Sequence, residues 1–270
     1  MLQNLHTHTK FCDGKDTPEE MIESAIKFGF ASLGFSGHCP TVYNTDWEMH
    51  DLSGYVEKIT ELKKKYEGVI DVYLGGELDY YSAPETFEVK YDYTIGSVHM
   101  YTELGMHVDF DQSADISARH IKDDFNGDSL AYIRSYYGLV ADLPNKFDFD
   151  IVGHFDLITK FSEKRPELFD SESKEYRNTA LETLHALREK KEIFEVNTGA
   201  ISRGHRTTPY PAPFILEEMK ALKCKLVLTS DCHDRNALTC NFKEAKEYIK
   251  SHGFDELYFL GSNGFFGEKI

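Results

Sequence analysis

The 270-residue chain is short of cysteine, of cationic charge and of long apolar runs. Its five cysteines, Cys12, Cys39, Cys224, Cys232 and Cys240, are odd in number and have no C-x-x-C spacing, which speaks against a disulfide framework and a cysteine-based zinc site. Lys and Arg total 30 against 46 Asp and Glu, a net charge of −16 with histidine neutral. That field repels polyanions, so no nucleic-acid partner is expected. The longest uncharged stretch, Phe28 to Thr45, holds a proline, an asparagine, a histidine and three glycines, and is no membrane span. The start, MLQNLHTHTK, has a His-rich strand where an export signal needs a basic region and an apolar run, so a cytoplasmic location is expected. Internal repeats and low-complexity linkers are missing. So are a GxxxxGK loop, a GxGxxG turn after a strand and a GxSxG elbow, which weighs against a kinase, a nicotinamide enzyme or a serine hydrolase.

What is present is a foldable chain, 41% hydrophobic, of a length that buries roughly 75% of its extended surface as one domain. Short apolar segments alternate with longer amphipathic ones, the pattern of β/α units around a parallel sheet. Strands are expected at residues 2–6, 32–37, 70–75, 93–98, 149–153, 193–196, 226–229 and 256–260. Helices are expected after Thr17, at 52–66, 173–190, 214–222 and 242–252. Thr17 reads as an N-cap, with Pro18 in the first turn and Glu20 completing a capping box, and Gly29 reads as the left-handed stop. Residues 100–146 interrupt the rhythm as a long insertion rich in Asp and Tyr, helical near 129–141. The expected arrangement is a single barrel domain over 1–270 with this insertion after strand four.

Six of the twelve histidines fall at the C-terminal ends of predicted strands: His6, His8, His38, His99, His154 and His233. Asp13, Glu77 and Asp231 share that distribution. In a parallel barrel these ends converge on one face, where active sites form. His6 and His8, two apart on a strand, turn to the same side. Imidazole with carboxylate suits zinc, manganese or iron. Any one of these histidines alone is more simply a hydrogen-bonded core or surface residue, but nine such residues at one face point to divalent ions. Cys12, Cys39 and Cys232 adjoin ligand candidates and are read as packing residues. His50, His185 and His252 are read as solvent-facing, and His107, His120 and His205 as within reach of substrate.

The segments HTHTKFCDG, GFSGHCP, GGELD, GSVHM, GHFDLITKF and TSDCH resemble, in order, the metal motifs of the PHP superfamily, named for its polymerase and histidinol phosphatase members. With EVNTGAIS and the insertion after GSVH, the chain is most similar to the histidinol-phosphate phosphatases. The resemblance runs from Leu5 to His233. It implies an α/β fold, a distorted (β/α)7 TIM-like barrel, one strand fewer than counted above, so that the segment near Tyr258 is peripheral. It implies three divalent ions: one held by His6, His8, Glu77 and Asp231, a second by Glu77, His99 and His154, a third by Asp13, His38 and His233, with Asp16 competing for the place of Asp13.

The implied reaction is hydrolysis of L-histidinol phosphate to L-histidinol and phosphate in histidine biosynthesis, by in-line attack of a metal-bridging hydroxide on phosphorus. Glu77, Asp231 and His233 would be the catalytic residues, with Asp231, His233 or water as proton source for the leaving alkoxide. Lys160, Arg203 and Arg206 match phosphate-contacting positions. A histidinol pocket needs acids and an aromatic wall, and Asp109 and Asp111 are the candidates for its ammonium. Another phosphomonoester or a nucleotide is the alternative substrate, and a catalytically silent barrel is the reading of a different class. A silent domain would be expected to lose ligands, and a nucleotide-chain enzyme would need a basic groove.

Overall fold

The computed structural model describes residues 1–103 and 106–270. Its strands are β1 (Gln3–Asn4), β2 (Ser32–Phe35), β3 (Asp71–Asp79), β4 (Tyr93–Ser97), β5 (Met100–Glu103), β6 (Met106–Asp109), β7 (Ile151–Val152), β8 (Ile193–Asn197), β9 (Lys225–Thr229), β10 (Glu256–Gly261) and β11 (Gly264–Lys269). The helices are α1 (Pro18–Lys27), α2 (Leu52–Lys65), α3 (Ala114–Asp123), α4 (Ser129–Lys146), α5 (Lys174–Arg188), α6 (Gly199–Ser202), α7 (Pro213–Ala221) and α8 (Phe242–Ser251). Seven strands pair in parallel in the order β1-β2-β3-β4-β7-β8-β9. The two edges meet just past β1 and β9, where Thr7 bridges Cys232, the His8 amide donates to Cys232 O at 2.8 Å and the Cys232 amide to His6 O at 3.1 Å. The Asn4 side chain adds a 2.7 Å bond to Ser230 Oγ at this seam. The sheet is thus the expected seven-stranded α/β barrel. The eighth segment, β10, pairs antiparallel with β11 as a separate hairpin.

Local chemistry places the first β/α unit as read. Thr17 caps α1 with a reciprocal Glu20 bond, and Gly29 sits at φ +78°. The barrel interior below the strand midpoints is apolar, built from Leu5, Tyr73, Tyr93, Ile95, Ile151, Val227 and, from the hairpin, Leu260. The Tyr93 ring crosses this interior and its hydroxyl donates to Leu5 O. It has room only because residues 34 and 75 are glycine, since a Cβ at either would lie 2.3–2.4 Å from the Tyr93 side chain. Gln3 seats the hairpin, donating to Leu260 O at 2.9 Å and accepting from the Leu260 amide at 2.8 Å.

The insertion holds more structure than expected. Besides α4 it contains the β5–β6 hairpin and α3, which Ser113 caps through the Ile116 amide at 3.2 Å. Residues 104 and 105 lie outside the described part. Helix α4 runs past Ala141 to Lys146 with Pro144 in its last turn, where a missing N–H costs only one bond. Phe110, Tyr132, Tyr136 and Tyr137 bury the insertion in the same core as α5, α7 and β8. Among the described residues, no helix is long and apolar enough to cross a membrane.

Candidate metal centre

The C-terminal ends of the seven strands carry the opposite chemistry. Beyond β1 the chain stays extended, so His6 and His8 face the barrel mouth with ring centroids 5.2 Å apart. Glu77 lies inside β3, which runs four residues further on this side than the expected 70–75, and the backbone of His38 bridges it. His99 and His154 follow β4 and β7; Asp231 and His233 follow β9.

Glu77 is the hub. Its Oε2 lies 3.3 Å from His6 Nε2, 3.6 Å from His8 Nε2 and 2.8 Å from His38 Nδ1; its Oε1 lies 3.0 Å from His154 Nε2 and 3.3 Å from His99 Nε2. Asp231 Oδ1 is 3.1 Å from His8 Nε2 and 3.6 Å from His233 Nδ1. Asp13 Oδ2 is 3.0 Å from His233 Nε2 and 3.9 Å from His38 Nε2. Asp16 is turned away, accepting from the Arg235 amide at 2.8 Å. All nine residues therefore meet, and Asp13 is the loop acid that reaches them.

Four overlapping groups have donor atoms within 4.8 Å of one another: His8, Asp13, His38 and His233; His6, His8 and Glu77; His6, His154 and Asp231; His38, Glu77 and His99. The grouping departs in part from the expectation, since His154 joins His6 and Asp231 and His38 joins Glu77.

Such a cluster is costly without a cation. His6 Nε2, His8 Nε2 and Glu77 Oε2 are buried with no hydrogen-bond partner among the described residues; the 2.8 Å approach of His38 to Glu77 lies off the hydrogen-bond axis. Buried unpartnered polar atoms carry a penalty of about 1–3 kcal/mol each, and facing N and O lone pairs are the donor set divalent ions take. The residues fit such ions. Burial would raise the Glu77 carboxyl, but His38, His6 and His99 overrule it and hold it well below its ordinary range. Burial would likewise raise Asp231, which Arg203 and His6 hold well below. Burial would lower His6, but Glu195, Glu77 and Asp231 lift it to about 10. Burial and then His8 push His233 down to about 4.

Asp231 sits in left-handed backbone, φ +45°, a conformation an Asp tolerates at some strain and one common at functional turns. Arg203 holds it there, donating to its backbone oxygen and to Oδ2, both at 2.9 Å, and to His233 Nδ1 at 3.1 Å. Residue 199 must be glycine for this contact, since a Cβ would come within 2.8 Å of Asp231 and 3.0 Å of Arg203.

Two acids behind the cluster escaped sequence reasoning. Glu195, fully buried, accepts from His6 Nδ1 and the His154 amide, both at 2.6 Å, and from Thr229 Oγ1 at 2.5 Å. Asp79 accepts from the His99 amide at 2.9 Å and lies 3.3 Å from His99 Nδ1. Such partners fix which ring nitrogen a ligand presents. The available signal was a lone charge inside the apolar β8 segment IFEVN.

The cluster opens into a cleft of about 510 Å³ whose lining includes Asp13, His38, Trp47, His99, Asp109 and Lys160. Lys160 reaches it while bonded to Asp111 through both the backbone oxygen at 2.9 Å and Oδ2 at 3.0 Å. Asp111 also lines the cleft, as the partner of that lysine. Asp109 lies 3.4 Å from His107 Nε2, and His107 shares the lining. Arg206 is elsewhere: its guanidinium is buried against Thr159 and Thr208 and stacks 4.6 Å from the Tyr210 ring. His120 is bonded to Asp124 at 2.5 Å, and His205 packs on Phe161. Cys232 donates to Asp234 O and Cys39 lies 3.4 Å from Tyr91 Oη, as packing residues do.

The PHP domain model matches residues 4–199, well over half of the chain and from His6 to His154 of the cluster. The chain belongs to the PHP domain family. Within it, the "Probable histidinol-phosphatase" of Schizosaccharomyces pombe is 30% identical over 274 residues, covering 93% of this chain and 87% of that one. The "Histidinol-phosphatase" of Bacillus subtilis is 26% identical over 249 residues, covering 84% and 92%. In fold, a histidinol phosphate phosphatase from Lactococcus lactis subsp. lactis, solved with zinc, L-histidinol and phosphate, superimposes with a TM-score of 0.73 at 21% identity over 98% of both chains.

Proposed function

We propose that the chain is a metal-dependent phosphoric monoester hydrolase that converts L-histidinol phosphate and water to L-histidinol and phosphate. The observation that carries this is the Glu77 hub at the floor of an acid-lined cleft: five histidine rings face one buried carboxylate, and Asp109 lies on the wall above. The relatives named histidinol-phosphatase along most of the chain support the substrate. Divalent ions held by His6, His8, Asp13, His38, Glu77, His99, His154, Asp231 and His233 would activate a water molecule and neutralise the phosphoryl oxygens.

The chain's own groups do the rest. Lys160, held by Asp111, presents its ammonium to the cleft for the phosphate. Arg203, bonded to Asp231 and His233, would add a second positive charge beside the cluster. Water oxygen bonds to phosphorus as the ester oxygen leaves, and that oxygen takes a proton. Asp231, His233 and water in the cleft are the groups that would supply it, Asp231 Oδ1 lying 3.6 Å from His233 Nδ1. Asp109 is placed for the ammonium of the departing alcohol. The cytoplasm, where an amino-acid precursor is made, is the proposed site of action.

A phosphate-release screen across phosphomonoesters, with metal content measured on the same sample, tests the proposal. Histidinol phosphate should exceed a generic aryl phosphate in kcat/KM by about a hundredfold, roughly 2.7 kcal/mol of transition-state binding. A nucleotide ahead of histidinol phosphate would overturn the substrate and keep the metal chemistry.

A further inference from the structure

The loop after β2 carries the chain's single tryptophan, Trp47, to the cleft wall. The loop is built to hold it. Buried Glu48 accepts through Oε2 from Thr41 Oγ1 at 2.7 Å, from the Thr45 amide at 3.1 Å and from Thr45 Oγ1 at 2.9 Å, while the Met49 amide donates to His38 O at 3.0 Å. The half-buried Trp47 ring lies 4.8 Å from the His38 ring at 70° and 5.4 Å from the His99 ring at 52°. At those inclinations it is stacked on neither. His107 and Asp109 of the β5–β6 hairpin line the same cleft, and the ring centroids of His107 and of Tyr43 from the Trp47 loop are 6.0 Å apart.

A phosphate drawn to the floor leaves its alcohol directed out past these residues. Part of the lining is acidic and part is a rigid indole, which offers an aromatic face at little entropic cost and attracts flat or cationic groups. We infer that Trp47 is a specificity-determining residue that covers the imidazole-bearing half of the substrate. The inference rests on histidinol phosphate being the substrate.

The test uses metal-loaded enzyme, with metal content checked, as wild type, Trp47→Phe and Trp47→Ala. In Trp47→Ala, KM for histidinol phosphate and the inhibition constant of L-histidinol should rise about tenfold, while the inhibition constant of inorganic phosphate stays within about twofold. Trp47→Phe should recover most of the loss, and L-histidinol should shift the wild-type tryptophan emission, which comes from this residue alone. Equal weakening toward phosphate, or loss of bound metal, would mean that Trp47 only packs His38 and His99, and no change in either constant would remove it from the site; both overturn the inference. Wild-type enzyme that leaves histidinol phosphate intact is a separate result, which overturns the proposed function and this inference with it.

Discussion

The two ends of one barrel are made of opposite materials. At the N-terminal end Leu5, Tyr93, Ile95, Ile151 and Val227 fill the interior and Leu260 of the hairpin closes it. At the C-terminal end, one to four residues further along the same chain segments, histidines and carboxylates are buried with lone pairs facing each other. Hydrophobic burial at the first end offsets the electrostatic cost of the second. Stability and function are thus carried by separate layers of the same strands.

The comparison is most strongly tested at Glu77. Glu77→Gln keeps the shape but removes the charge that five rings share, and kcat should fall about a thousandfold, near 4 kcal/mol of barrier. A variant keeping more than about a tenth of wild-type kcat breaks the claim that Glu77 joins the ions. The reciprocal change is Leu260→Ala at the other end. It should cost about 2–5 kcal/mol of unfolding free energy and leave kcat at low temperature near wild type. A kcat loss matching that of Glu77→Gln would mean the two layers are coupled.

Smaller effects sharpen the boundary. Glu195→Gln should weaken metal affinity by about 10–100-fold in a metal titration followed by competing chelator, because His6 loses the acid that orients it. Unchanged affinity would demote Glu195 to core. Tyr93→Phe removes only the hydroxyl bond to Leu5 O and should cost about 1 kcal/mol in denaturant unfolding with no change in metal affinity.

The two layers also differed in how far they could be read ahead. Strand alternation and the capping box of Thr17 and Glu20 are local, and they located the barrel's elements to within a few residues. Eight of the nine candidate ligands were legible because strand ends converge in any parallel barrel, and Asp13, on the loop after β1, was legible from the HTHTKFCDG motif. The β5–β6 hairpin and α3 were not, since the insertion's acids and aromatics have no clean period and its elements are fixed by burial of Phe110, Tyr132 and Tyr136 in the shared core. Arg206 could not be separated from Arg203 by sequence: three residues apart, one is bonded to Asp231 and the other is buried against Thr159 and Thr208. Glu195 showed only as a lone charge in an apolar segment, and its role was not legible because its partners His6, His154 and Thr229 lie in or just past three other strands.

The most direct test of the Glu77-centred cluster is elemental analysis of wild-type protein prepared with divalent metal and freed of loosely bound ions. The motif resemblance implies about three ions per chain, and the nine converging residues offer the N and O donors to hold them. At most one tightly held ion after saturation would contradict it.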